Sequence, residues 1–298
     1  MSNSPKIWFI TGASTGFGRL LAEQVLAAGG SVVATARKPE QIADLTGQYP
    51  DRALALALDV TNEVAIEAAV DAAIERFGRV DVLVNNAGYG LAGAIEEATE
   101  EEFMPVFETN VFGLIRVTRA LLPHLRSQRS GHIVNLSSIA GLIGSPGWGY
   151  YNASKFAVEG FSEALAAEMA PLGVHVTIVE PGPFRTDFLG RSGVEARQRI
   201  ADYDSTAGKT RQYFHDQAGK QMGDPARAAA AIIMAVESET PPKHLVLGKI
   251  AYARMTARLD QWKQELLAWE DVALGADFDL ADGSASAQAN PAAKTGDQ

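Results

Sequence analysis

Tyr151 and Lys155 stand four residues apart in the stretch GWGYYNASKFAVEGF, residues 147–161. From Asn152 onward the apolar positions Phe156, Val158, Phe161, Leu165 and Met169 predict a helix. On a helix the two side chains share one face, a turn apart. An ammonium beside a phenol favours the phenolate. Moving a tyrosine from a pKa near 10 to about 7 takes roughly 4 kcal/mol. Two unit charges ~4 Å apart at an effective dielectric of about 20 supply about that much. The pair therefore fits a general acid/base working at neutral pH. A packing tyrosine next to a solvated lysine has the same spacing, so the chemistry needs support from elsewhere in the chain.

A second group of residues can bind phosphate. In ITGASTGFG, Gly12, Gly16 and Gly18 follow an apolar run and precede an amphipathic one. Gly12 suits a tight turn, Gly16 close backbone approach to a pyrophosphate, and Gly18 packing of the helix on the strand. The helix start then offers unpaired N–H groups to the phosphate. A plain turn before a helix is the competing account. About 20 residues on, an NAD site would carry Asp or Glu for the ribose 2′-hydroxyl. This chain has ATARKPE instead, with Ala36 in the acid's place and Arg37 and Lys38 after it. A guanidinium grips a 2′-phosphate with two donors, so the expected cofactor is NADP(H).

These residues need elements to hold them. KIWFIT, SVVATA, ALALALD, VDVLVNN, GHIVNLSS, VHVTIVEP and KHLVLG read as strands, several almost continuously apolar, as parallel strands covered on both faces are. Helical patterns lie between them at 20–28, 64–77, 100–127, 156–171 and 225–237. The alternation predicts one α/β domain with a doubly wound parallel sheet and right-handed crossovers. The long polar connection 183–223 reads as a lid over the site or as a surface excursion. A further helix is expected over 252–272. The tail from residue 278 is poor in bulky apolar residues and is expected to be disordered.

Composition narrows the rest. The net charge of −10 and the lack of a basic stripe argue against a nucleic-acid partner. The chain has no cysteine, hence no thiolate nucleophile and no Cys-type metal site. His124, His132, His175, His215 and His244 stand at no metal-ligand spacing, so no metal is expected. No apolar run spans a bilayer and no signal pattern opens the chain, which points to a cytoplasmic protein without a membrane partner. The acidic run 96–103 reads as a solvated helix start.

Taken together, the motifs resemble those of the short-chain dehydrogenase/reductase family over residues 6–247. TGASTGFG matches the family's TGxxxGxG, which brings in Ser14, Thr15 and Phe17 as cofactor contacts. LDVT puts Asp59 and Val60 where the family meets the adenine. NNAG sets Asn86, Ala87 and Gly88 along the ribose. ETNVFG supplies the helix asparagine, Asn110. IVNLSS gives Ser138, YNASK gives Tyr151 and Lys155, and PGPFRT puts Pro181, Gly182 and Thr186 beside the nicotinamide. The resemblance implies a seven-stranded Rossmann-type sheet in the order 3-2-1-4-5-6-7. Its catalytic domain would cover 1–248, with a helical extension over 249–277.

The implied reaction is reversible hydride transfer between NADP(H) and a ketone or secondary alcohol. Tyr151 would be the acid/base, Ser138 the oxyanion donor, and Lys155 both the tuner of the tyrosine and a ribose ligand. Asn110 would position a water leading from Lys155. Tyr150 is the rival tyrosine, but it stands five residues from Lys155. Phe184, Phe188, Tyr203, Tyr213, Phe214 and Met222 suggest an apolar pocket for a small-molecule carbonyl or alcohol substrate, and EPGPFRTDF looks like the hydroxysteroid-dehydrogenase-like branch. Family members pair across helices equivalent to 102–127 and 152–171, so a homodimer is expected. The alternatives are a catalytically silent nucleotide-binding regulator of the same fold, or an epimerase or dehydratase of the family's longer branch. The intact Ser138–Tyr151–Lys155 set speaks against the first. The GxxxGxG spacing and the short region after Pro181 speak against the second.

Overall fold

The computed structural model describes residues 5–190 and 192–278. Nine strands occur among them: β1 (Ile7–Ile10), β2 (Ser31–Ala36), β3 (Ala53–Ala57), β4 (Val82–Asn85), β5 (Gly90–Ala92), β6 (Gly131–Leu136), β7 (Val174–Pro181), β8 (Gly193–Glu195) and β9 (His244–Leu247). The helices are α1 (Gly16–Ala27), α2 (Ala43–Gln48), α3 (Glu63–Phe77), α4 (Glu100–Phe107), α5 (Leu114–Gln128), α6 (Gly149–Met169), α7 (Lys209–Gln217), α8 (Pro225–Glu237) and α9 (Lys249–Ala268), followed by a short helix, Glu270–Leu274.

Seven strands form one parallel sheet in the order β3-β2-β1-β4-β6-β7-β9. These are the seven apolar runs, in the expected order. Successive residues of each strand point to opposite faces. Trp8 and Ile10 therefore join a core with Leu21, Leu26, Ile232 and Val236 of α1 and α8. Phe9 joins the opposite core with Val70, Leu121, Leu125 and Leu165 of α3, α5 and α6. Burying a large apolar side chain contributes about 1.5–3 kcal/mol. Trp8, Phe9 and Ile10 are all at most 2 % exposed, so the two cores pin β1 from both sides. The order reverses between β1 and β4, which opens a crevice beyond their carboxyl ends.

Three features depart from the sequence pattern. Helix 100–127 is not continuous: α4 and α5 are joined by a π-helical turn, Glu108–Gly113, in which Asn110, Val111 and Gly113 are buried. Helix α6 starts at Gly149 rather than Asn152, so Tyr151 lies inside it. The glycines that read as loop end at Gly147, whose φ of 76° takes the turn. The third is a second, two-stranded sheet in which β5 pairs with β8. Strands of three residues are too short to show a period of two.

The described residues divide into two compact units, one up to Met255 and one from Thr256. The boundary falls inside α9. Buried Ala251 explains why: it sits against Gly182, where a Cβ added to the glycine would meet the Ala251 Cβ at 3.1 Å. In the second unit the Arg258 guanidinium lies 4.4 Å from the centre of the Trp262 ring. Leu259, Leu266 and Trp269 there are exposed. Apart from Phe278, the tail expected to be disordered lies outside the described residues.

Candidate active site

The crevice holds a cavity of about 1470 Å³. At one end is the turn after β1. Gly12 and Gly16 have φ of 65° and 57°, the left-handed region that favours glycine. A Cβ on Gly18 would lie 2.5 Å from Asn86 Nδ2 and 2.6 Å from the Gly12 carbonyl oxygen, so only glycine lets α1 start here. Asn86 braces the same turn, its Nδ2 donating to the Thr11 and Gly12 carbonyls at 2.9 Å. Gly12, Ser14, Thr15, Gly16 and Phe17 line the cavity, and Gly18 supports them from behind.

The wall beyond β2 is made by Ala36 and Arg37, with Asp59 and Val60 from the end of β3 opposite. Arg37 is exposed and has no carboxylate partner among the described residues. Arg19, one turn into α1, is different: its guanidinium is taken by Asp44 and Glu23. The Arg37 charge reaches the Tyr89 phenol; burial raises that phenol's pKa and Arg37 works against it. Lys38 does not line the cavity. Asp59 Oδ1 is engaged by the backbone N–H and hydroxyl of Thr61, at 2.9 and 2.7 Å.

At the other end are Ser138, Tyr151 and Lys155, with Pro181, Gly182 and Thr186 of the β7 loop. Ser138 follows β6 and opens a 3₁₀ turn, its Oγ accepting from Ala140 N at 3.1 Å. Lys155 is buried and its Nζ donates to the Leu136 carbonyl at 2.7 Å. Burial pulls its pKa down to about 8, with Glu159 working the other way. The Tyr151 phenol is pushed up to about 12 by burial, and a hydrogen bond with Ser138 opposes the rise.

The spacing thus brings Tyr151 and Lys155 onto one helical face, but the lowered phenol pKa does not follow from it. The ammonium lies 5.9 Å from the ring centre and spends a proton on a carbonyl. The cost of burying a phenolate exceeds what that charge returns.

Asn110 stands behind this end and does not line the cavity. Its Nδ2 donates to Tyr89 O at 2.9 Å and Ser154 Oγ at 3.1 Å, and its Oδ1 accepts from Tyr89 N at 3.0 Å. The amide therefore ties the loop after β4 to α6.

An aromatic wall flanks Tyr151, with ring centres 5.6 Å away at Trp148 and 5.3 Å away at Phe188. Phe214 stacks on Trp148 at 5.9 Å from behind. Of the expected pocket residues, Phe184, Phe188 and Tyr213 line the cavity. Tyr203 instead donates to Glu96 at the surface, and Met222 is 77 % exposed. Trp148 was not anticipated, nor was Ile250 at the start of α9, which also lines the cavity.

The sequence profile of the short chain dehydrogenase family matches residues 6–196. The chain is a member of the short-chain dehydrogenase/reductase family.

A short-chain dehydrogenase from Streptomyces avermitilis is 47 % identical, with a TM-score of 0.87, over 92 % of this chain and 100 % of the other. An oxidoreductase from Botryotinia fuckeliana named BOA17 is 39 % identical over 88 % of this chain and 98 % of its own. The 3-ketodihydrosphingosine reductase of Bacteroides thetaiotaomicron is 38 % identical over 87 % and 93 %. Solved family members hold either nicotinamide cofactor. A 3-ketoacyl-(acyl-carrier-protein) reductase from Brucella melitensis is complexed with NADH (30 % identity, TM-score 0.69, 83 % of this chain and 98 % of that one). The protein ElxO has NADP bound (28 %, 0.67, 82 % and 96 %).

Within this short-chain dehydrogenase/reductase, the segment 183–223 covers the aromatic end of the cavity and is fastened from outside. Arg211 of α7 forms a buried ion pair with Glu97, at 2.7 and 3.1 Å. Ala94 N and Ile200 N also donate to that carboxylate, at 2.7 and 2.8 Å. Burial would raise Glu97, but these donors bring it down to about 2. The acidic run is therefore not solvated throughout: Glu97 anchors the covering segment, while Glu102 closes a capping box with Thr99.

A further cluster lies outside the cavity. Glu159 of α6, Glu180 of β7 and His244 of β9 have ligand-type atoms all within 4.8 Å of one another. Burial pushes Glu159 up to about 7, against a hydrogen bond from Ser137. Burial, helped by Glu159, pushes Glu180 up to about 9. No sequence spacing joins these three; parallel pairing of β7 with β9 does.

Proposed function

We propose that this oxidoreductase is NADP(H)-dependent and interconverts an apolar ketone and its secondary alcohol, with Tyr151 as the general acid/base. One observation carries the reading: a single cavity joins the glycine turn and an unpartnered Arg37 to Ser138, Tyr151, Lys155 and an aromatic wall. The turn fits a dinucleotide, because the positive φ of Gly12 and Gly16 and the Cβ-excluding contact at Gly18 shape a cradle for a pyrophosphate. When bound, a nicotinamide supplies or accepts the hydride. The chain's own residues handle the rest. Ser138 Oγ donates to the carbonyl oxygen as negative charge develops on it. Tyr151 Oη delivers a proton to that oxygen, and Lys155 holds the ribose hydroxyls and stabilises the phenolate left behind.

Trp148, Phe188 and Tyr213 favour a substrate with apolar bulk next to its carbonyl. The relative named for 3-ketodihydrosphingosine supports that class. NADPH consumption measured against aryl, alicyclic and long-chain aliphatic ketones is expected to give turnover with at least one apolar class and none with short polar ketones. Tight NADPH binding with no turnover on any carbonyl would favour a catalytically silent regulator.

A homodimer belongs to the same reading, supported by Phe112 and Phe156, both 43 % exposed on the α5 and α6 side of the fold. Closed two-fold pairing is the commonest assembly. Sedimentation is expected to give a species of twice the 31.7 kDa chain mass; only the single chain at micromolar concentration would remove the dimer.

A further inference from the structure

We propose that Glu159, Glu180 and His244 form a binding site for a first-row divalent cation of the zinc class, separate from the cofactor cavity. The three residues come from α6, β7 and β9. Glu180 is fully buried and Glu159 is 6 % exposed. Glu159 Oε1 accepts from Ser137 Oγ, and Glu180 Oε1 lies 2.7 Å from His244 Nδ1. The other oxygen of each carboxyl, Oε2, is buried without a hydrogen-bond partner among the described residues. Glu159 Oε2 also faces His244, 3.9 Å from Nδ1. Native interiors seldom leave such atoms unpaired, and two in one cluster call for a shared partner.

The donor chemistry names the partner. One imidazole and two carboxylates suit zinc, with His–N at about 2.0–2.1 Å and carboxylate–O at about 2.0–2.2 Å. Ligands at those lengths stand roughly 3.4 Å apart around a tetrahedral ion. Atoms already within 4.8 Å need only small side-chain adjustments to reach that. Glu163, whose Oε1 lies 3.4 Å from His244 Nε2, is the second-sphere carboxylate that orients such imidazoles. Solvent enters at the His244 side, the partly exposed member of the set. The cation would tie β9 to α6 and hold Glu159 against Ser137, the neighbour of Ser138.

The test uses the full chain, stripped with chelator and dialysed against ZnCl2, with bound metal quantified and thermal midpoints recorded. The expected result is one zinc per chain and a raised midpoint. His244→Ala should weaken binding at least about tenfold, and Glu180→Gln should weaken it as well. His215→Ala removes a surface His–Glu195 contact and should change nothing. His244 is partly exposed at a strand start, so His244→Ala keeps the test alive if Glu180→Gln fails to fold; NADPH binding checks that each variant is folded. Absence of saturable uptake by the wild-type chain would overturn the site. Uptake that survives His244→Ala, or that vanishes with His215→Ala, would overturn it equally.

Discussion

Tyr151→Phe is expected to lower turnover by about 10²- to 10⁴-fold, the usual worth of a positioned acid or base, while NADPH binds nearly as before. The change deletes one hydroxyl at a buried position and leaves the ring between Trp148 and Phe188. Lys155→Ala should impair both turnover and NADPH binding if, as proposed, the lysine serves the phenol and the ribose. Tyr150→Phe is the control. The Tyr150 hydroxyl already donates to Ile95 O at 3.1 Å and its ring stacks on Phe103, so its loss should spare catalysis.

The pH dependence has a defined sign. In the proposed mechanism reduction uses the protonated phenol, and since burial pushes that phenol up to about 12, the protonated form prevails at neutral pH. Reduction should thus show no loss from phenol ionisation around pH 7. Oxidation needs the phenolate, so its rate should climb with pH. Profiles in both directions, for wild type and Tyr150→Phe, test this. Near-wild-type activity in Tyr151→Phe would sink the assignment.

The second large effect concerns the cofactor. Charge-assisted hydrogen bonds contribute about 1.5–3 kcal/mol each, and 1.4 kcal/mol is about tenfold in affinity. Arg37→Ala should therefore weaken NADPH by roughly ten- to a hundredfold and leave NADH almost untouched. Lys38 lies off the cavity wall, so the proposed NADP(H) reading assigns the discrimination to Arg37. Ala36 is the last residue of β2, paired with Ala57 and 4 % exposed, at the spot from which an acid would reach a ribose 2′-hydroxyl. Ala36→Asp adds that acceptor and repels a 2′-phosphate. The double variant Ala36→Asp, Arg37→Ala should invert the preference, read as the ratio of kcat/KM with the two cofactors. A wild type that already prefers NADH would refute the NADP(H) assignment. So would equal weakening of both cofactors by Arg37→Ala.

Local signals carried most of the architecture. Each sheet strand is a short apolar run, the inner ones buried on both faces, and the glycine turn announces itself because only glycine tolerates its φ and contacts. Harder to see were features that depend on distant residues meeting. Glu97 looked solvated because its neighbours Glu100 and Glu101 are; its partner Arg211 is more than a hundred positions away. Trp148 joined the aromatic wall only once α6 was found to begin at Gly149. The tyrosine–lysine spacing gave the shared helical face but not the raised phenol pKa, because spacing says nothing about burial or about the carbonyl that claims the ammonium. His244 met Glu159 and Glu180 through strand pairing, which no local spacing encodes.

The π-helical turn at Glu108–Gly113 works as a one-residue insertion that the helix from α4 to α5 has absorbed. A π turn holds one residue more than the α-helix around it would. Removing one residue from that turn would let the helix run on as regular α with the residues beyond it in nearly the same phase, because the wide turn takes up the roughly 100° that the extra residue would add. Val117, Leu121 and Leu125, all fully buried against the sheet, would keep their face, and only the bulge that holds Asn110 against Tyr89 and Ser154 would be lost. A single-codon deletion in the turn should therefore spare the core and loosen only the wall behind Lys155, whereas point substitutions at the exposed positions of α4 and α5 should leave both in place.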